Sequence, residues 1–97
     1  MGTNGRHDEL ARFFRLLSHP VAMEVVRCLG QRYYTLSELA QTLETSKPCV
    51  CKRTTKLHDA GVLDKVRIGR RLHYCLREWK VLNLIRHVRR FVRTRAG

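Results

Sequence analysis

Ser46-Lys47-Pro48-Cys49-Val50-Cys51-Lys52-Arg53, running on through Leu57 to Ala60-Gly61-Val62-Leu63, is the stretch that decides the fold. A serine side chain accepts a hydrogen bond from the free amides of a first helical turn, and proline is tolerated there because its missing N–H has no helical partner. Gly61 supplies a stop, after which Val62-Leu63 opens an extended segment. Between these signals Val50, Thr54 and Leu57 mark an inward face. Lys47, Cys51, Lys52 and Thr55 then lie outward, with Cys49 and Arg53 on the flanks. A capped helix that turns basic side chains to solvent reads as a helix that lies on nucleic acid.

Upstream, Thr35 followed by Glu38 forms a capping box and predicts a short helix over Leu36 to Leu43, with Leu36, Leu39, Ala40 and Leu43 as its core face. With the polar connection Glu44-Thr45, residues 36–60 make a helix-turn-helix candidate. Asp8 or Thr3 starts a first helix over 8–17, where Leu10, Phe13, Phe14 and Leu17 share one face. Ser18-His19-Pro20 ends it, because proline holds His19 extended and then suits the first turn of the next helix. That helix runs to about Leu29, with Val25, Val26 and Leu29 inward and Gly30 as its stop.

Downstream, residues 62–77 read as a hairpin turning at Gly69-Arg70, with Leu72, Tyr74 and Leu76 on one side and Arg71, His73 and Cys75 outward on the other. Residues 78–95 form a last helix in which Leu82, Ile85, Val88 and Val92 line up, with Arg86, Arg89, Arg90 and Arg93 around the rest. The fold class is mainly α, a single winged helix-turn-helix domain over 1–97 with about five helices and a two-stranded wing. From spacing alone, the apolar stripes of the first and last helices fit a partner copy and their own core equally well.

Lys and Arg number 20 against 8 for Asp and Glu, a net charge of +12 on 97 residues. A polyanion is the natural partner for such an excess. A chain this short buries a modest core, so pairing with a second copy is expected. Met1 to Asp8 is polar and no apolar run spans a bilayer, which places the protein in the cytoplasm with no membrane partner. Cys28, Cys49, Cys51 and Cys75 are then reduced thiols, and they lack the paired spacing of a zinc ribbon. No nucleophile elbow, phosphate-binding glycine loop or metalloprotease histidine pair is present, so an enzyme is not expected.

Leu17-Ser18-His19-Pro20 resembles the leucine-serine-aspartate-proline junction of the ArsR/SmtB (arsenic-repressor-like) family. Leu36-Ser37-Glu38-Leu39-Ala40 is similar to its first reading-motif helix. Ser46-Lys47-Pro48-x-Val50 through Ala60-Gly61-Val62-Leu63 resembles its recognition helix and exit, and Gly69-Arg70 with His73-Tyr74-x-Leu76 its wing. The likeness covers roughly residues 10 to 78. It implies a homodimeric repressor, paired through the first and last helices, that binds a pseudo-palindromic double-stranded operator and releases it on binding an inducer. Val21-Ala22 and Thr54 depart from the family pattern, which bears on local packing.

For DNA contact the candidates are Ser46, Lys47, Pro48, Cys51, Lys52, Arg53, Thr55 and Lys56 on the helix, and Arg70 and Arg71 on the wing. Lys or Arg can bond guanine edges, while Ser46 and the first-turn amides suit a phosphate. Cys49 and Cys51 have three readings. They form a soft-metal site for As(III), Zn or Cu, a pair of oxidisable thiols, or simply two small residues. The cysteine pair of arsenic-sensing relatives sits one helix earlier. Thiols two residues apart point about 200° apart on a regular helix, so sharing a metal requires the first turn to unwind. Glu78 and His87 are too few for the zinc site that relatives build on the last helix. Two rival functions stand beside the repressor. One is a ligand-independent architectural or mobile-element DNA binder, and the other a membrane-surface protein using the basic last helix.

Overall fold

The computed structural model describes residues 5–96, with side chains described over 8–95. Thr3 therefore lies outside the described residues. In chain order the elements are α1 (Gly5–Ser18), α2 (Pro20–Leu29), β1 (Tyr34–Thr35), α3 (Leu36–Thr42), α4 (Lys47–Asp59), β2 (Leu63–Ile68), β3 (Arg71–Leu76) and α5 (Trp79–Ala96).

α1 begins before Asp8, whose carboxylate sits inside the first turn and favours the exposed amide end of the helix from there. His19 is extended (φ −72°, ψ 127°), and its Nδ1 accepts the Val21 N–H at 3.1 Å, capping α2 directly ahead of Pro20. Gly30 ends α2 in a right-handed conformation (φ −72°), so a left-handed turn is not why it is glycine. A Cβ at Gly30 would fall 2.5 Å from Leu82 Cδ2 of α5 and 3.3 Å from Arg27 C=O, so a larger residue there would make the Leu82 side chain turn aside.

Both ends of the helix-turn-helix close by one device. At the end of α3, Thr45 N–H donates to Ala40 C=O at 3.0 Å and Glu44 N–H to Gln41 C=O at 3.2 Å. At the end of α4, Val62 N–H donates to Leu57 C=O at 2.9 Å and Gly61 N–H to His58 C=O at 3.0 Å. This paired closure needs a left-handed residue, which is Gly61 (φ 83°) after α4 and Glu44 (φ 52°) after α3.

The sheet departs from the predicted two-stranded wing. It has three antiparallel strands in the order β1-β3-β2. β1 pairs Tyr34 with Tyr74 and Thr35 with His73, so Thr35 ends the strand and caps α3 at once. Two residues cannot display a two-residue period, which is why spacing missed this strand. The wing turn joins Ile68 to Arg71 in register, with Gly69 at φ 65°. Positive φ at the first central residue alone is the pattern of a type II′ hairpin.

The core gathers Val25, Val26 and Leu29 of α2, Leu39 of α3, Val50 and Leu57 of α4, Leu63 and Tyr74 of the sheet, and Leu82 of α5. α2 packs against both α4 and α5. Thr54 is fully buried, and its hydroxyl donates to Cys51 C=O at 3.0 Å, so the departure from leucine leaves no unsatisfied group.

Candidate nucleic-acid interface

α4 is held from beneath by Val50, Thr54 and Leu57, each at 0% exposure. Sealing that face fixes the opposite one in water. Ser46, Lys47, Pro48, Cys51, Lys52, Thr55 and Lys56 are all exposed, and Cys49 and Arg53 are half-buried on the flanks. Ser46 Oγ accepts the Cys49 N–H at 3.2 Å and Ser46 C=O the Val50 N–H at 3.1 Å, and since Pro48 carries no N–H, the Lys47 amide is the first-turn donor left for a ligand. From Ser46 to His58 there is no carboxylate.

The basic side chains divide between two grooves. Lys47 borders one with Arg71 across from it on β3, and Ser37 of α3 lies between them. Arg53 and Lys56 border the other, against α1, where Glu9 and Arg12 face them. Arg53 Nε is buried there without a hydrogen-bond partner among the described residues. Ser37 and Arg67 are exposed additions that sequence reasoning passed over. Arg67 stands opposite Leu72 in the wing ladder, two residues from the Gly69 turn, and its position in an alternating strand was the available signal.

His19 touches the electrostatics of this surface. Partial burial holds its pKa below the usual histidine value, and the positive charges of Arg53, Lys52 and Lys56 lower it further. A neutral ring agrees with Nδ1 accepting the Val21 N–H.

The four thiols differ in setting. Cys28 is sealed in the core and burial pushes its pKa up. Cys75, expected outward on the wing, is half-buried instead. Burial raises its pKa, with Asp64 adding to the rise, against hydrogen bonds from the Asp64 backbone and the Tyr33 side chain. The third strand is what covers it, since β1 and Tyr33 flank β3 on the side that a free hairpin would leave open. α4 is regular through Cys49 and Cys51, which therefore point apart. Among the described residues no three His, Cys, Asp or Glu side chains gather as a metal site. The Cys49–Cys51 pair of one chain does not fit a shared soft metal.

A buried helix face, an exposed basic face, a capped amino end and a hairpin beside it define a winged helix-turn-helix. No family model matches the chain. It is 28% identical over 80 residues to the biofilm growth-associated repressor of Xylella fastidiosa, covering 82% of this chain and 70% of that protein. It is 26% identical to the transcriptional repressor SmtB homolog of Synechocystis, over 84% of this chain and 61% of that protein. Its fold matches, with a TM-score of 0.80 at 18% identity, a homodimeric winged helix-turn-helix DNA-binding domain from Mycobacterium bovis described as a possible ArsR-family regulator. That match covers 98% of this chain and 92% of the other. The chain is an ArsR/SmtB-like winged-helix protein.

Proposed function

We propose that the chain is a sequence-specific double-stranded-DNA-binding transcriptional repressor, acting in the cytoplasm as a homodimer. The observation that carries this reading is the exposed face of α4, basic and without a carboxylate from Ser46 to His58, with Lys47 and Arg71 bordering one groove. Lys47, Pro48, Cys51, Lys52 and Thr55 face the major groove, with Lys56 and Arg53 on phosphates to one side. Arg70 and Arg71, joined by Arg67, hold the backbone beside the wing or enter a minor groove. Ser46 and the Lys47 amide suit a phosphate.

The homodimer is supported by apolar side chains left in water on the two terminal helices. Phe14 of α1 is 50% exposed, and Val88 and Val92 of α5 are 50% and 55% exposed. These residues line one groove between the helices, with Leu84 beside them. Relatives named as repressors support the direction of regulation.

The test is selection of binding sites from a random duplex pool, followed by competition between a selected site and random sequence. A selected site should bind about a thousandfold or more tighter than random duplex, with affinity falling steeply as salt rises. Equal affinity for selected and random sequence would remove the operator from the reading and leave an architectural binder.

Switching through thiols is a second reading, favoured by the exposure of Cys51 on the reading face. An adduct on that sulfur stands between helix and bases. If Cys51→Ser protein still loses DNA to thiol reagents as wild type does, the switch is elsewhere.

A further inference from the structure

We propose that α5 carries a second duplex-binding face, distinct from α4, so that the dimer bridges two segments of double-stranded DNA. This rests on the DNA-binding reading above. Arg86, Arg90 and Arg93 are spaced four and three residues apart, which gathers them within about 60° of arc on one side of the helix. All three are exposed, and Trp79, 54% exposed, lies on the same line. No aspartate or glutamate occurs in α5. The three ion pairs found among the described residues, Glu24–Arg27, Arg32–Glu38 and His58–Asp59, all lie outside it.

Arg86 and Arg90 are about 160° around the helix from Val88 and do not line the apolar groove, so a second copy seated there leaves these two open, whereas Arg93 sits at the groove edge. α5 packs on α2, which also packs on α4. Arg86 and Arg90 border neither groove that the basic side chains of α4 enter, so a duplex lying on α4 leaves their charge for another polyanion.

Two observations favour nucleic acid over a lipid surface. α5 holds five arginines and one lysine, and the planar guanidinium fork matches phosphate oxygens in pairs. A helix that lies in a bilayer interface inserts apolar side chains next to its basic ones. Here the exposed end of the apolar stripe at Val88 points away from Arg86 and Arg90, Leu82 beside them is buried, and Trp79 is the exposed apolar side chain on their line. A dimer already holding one duplex also meets neighbouring DNA at raised effective concentration.

The experiment uses beads carrying a short random-sequence duplex and a labelled second duplex in solution. Wild-type protein should retain the labelled duplex. Arg86→Gln/Arg90→Gln, which leaves the groove-lining Arg89 and Arg93 intact, should bind a single duplex within about twofold of wild type. It should remain dimeric by sedimentation and capture the second duplex about tenfold less or worse. Capture unchanged in that variant overturns the proposal. So does wild type that binds the bead duplex and captures nothing further, a result that leaves the DNA-binding reading standing. Wild type that binds no duplex at all removes both. If phosphatidylserine vesicles bind wild type but not the variant, and the second duplex is not captured, the face is a lipid surface and the proposal fails.

Discussion

α4 and α5 are both amphipathic and basic, yet they resolve their apolar faces differently. Val50, Thr54 and Leu57 of α4 are completely buried by the chain's own α2, α3 and sheet. α5 changes character halfway. Val81, Leu82 and Ile85 are 6%, 3% and 9% exposed, and from Val88 onward the apolar residues stand in water. A helix whose inner face is finished within its own chain has a free outer face. A helix whose apolar stripe outruns the core still lacks part of its packing, and only another molecule can supply it.

That contrast breaks most sharply at the open end of α5. Val88→Asp/Val92→Asp places four carboxylates in a dimer groove and removes the burial of four valines, each worth about 1.5–3 kcal/mol when fully covered. Self-association should weaken by a hundredfold or more in sedimentation equilibrium, while the helical circular dichroism of the monomer is retained. Loss of the fold instead would show that the stripe already serves its own core.

Leu57→Ala attacks the finished face. A cavity at a fully buried leucine costs about 2–5 kcal/mol, and urea denaturation should show it at protein concentrations where wild type and variant are both dimeric. A cost under about 1 kcal/mol would mean that α4 is held more loosely than its burial implies.

Much of this contrast was legible in the sequence near α4 and little of it near α5. The caps Thr35/Glu38 and Ser46 are local, each needing a side chain three residues from its partner, and all three appear as hydrogen bonds. Val50, Thr54 and Leu57 followed from period alone. Val88 and Val92 carry the same period as Leu82 and Ile85, and nothing local tells a position beneath α2 from one beyond its end. Gly30 read as a stop and does cap α2, but its contact with Leu82, fifty-two residues away, is not a local signal. β1 is too short for a pattern. The outward residues of α4 were placed by elimination, whereas Ser37 enters the same groove only through the approach of β3. Which of these side chains meets DNA is a question of docking, and the tests above address it.

The turn between α3 and α4 gives smaller effects of opposite sign. Ser46→Ala removes the cap of α4 and should cost about 1 kcal/mol. Glu44→Gly relieves a left-handed non-glycine residue, and should raise stability by up to about 1 kcal/mol after the greater freedom of glycine in the unfolded chain is offset. Thermal denaturation should separate the pair by several degrees. A loss on Glu44→Gly would indicate that the Glu44 side chain stabilises the turn beyond its backbone role.

The smallest effect is a pH dependence that α4 imposes on its neighbour. His19 accepts the Val21 N–H through Nδ1, so protonation removes the cap and adds a positive charge beside Arg53, Lys52 and Lys56. Its folded pKa lies below the unfolded value near 6.5, held down first by burial and then by those three cations. The folded state therefore takes up the proton less readily than the unfolded state, and stability rises with pH across this window. The contribution is complete above the unfolded pKa and is lost as pH falls through the folded one. His19→Asn retains a neutral acceptor for the Val21 N–H at every pH. Between about pH 7 and 5 wild type should lose stability more steeply than His19→Asn in paired urea titrations, because every other titrating group is common to both. Parallel curves would mean that His19 takes up its proton alike in the folded and unfolded chain, so that neither its burial nor the cations of α4 bear on its titration.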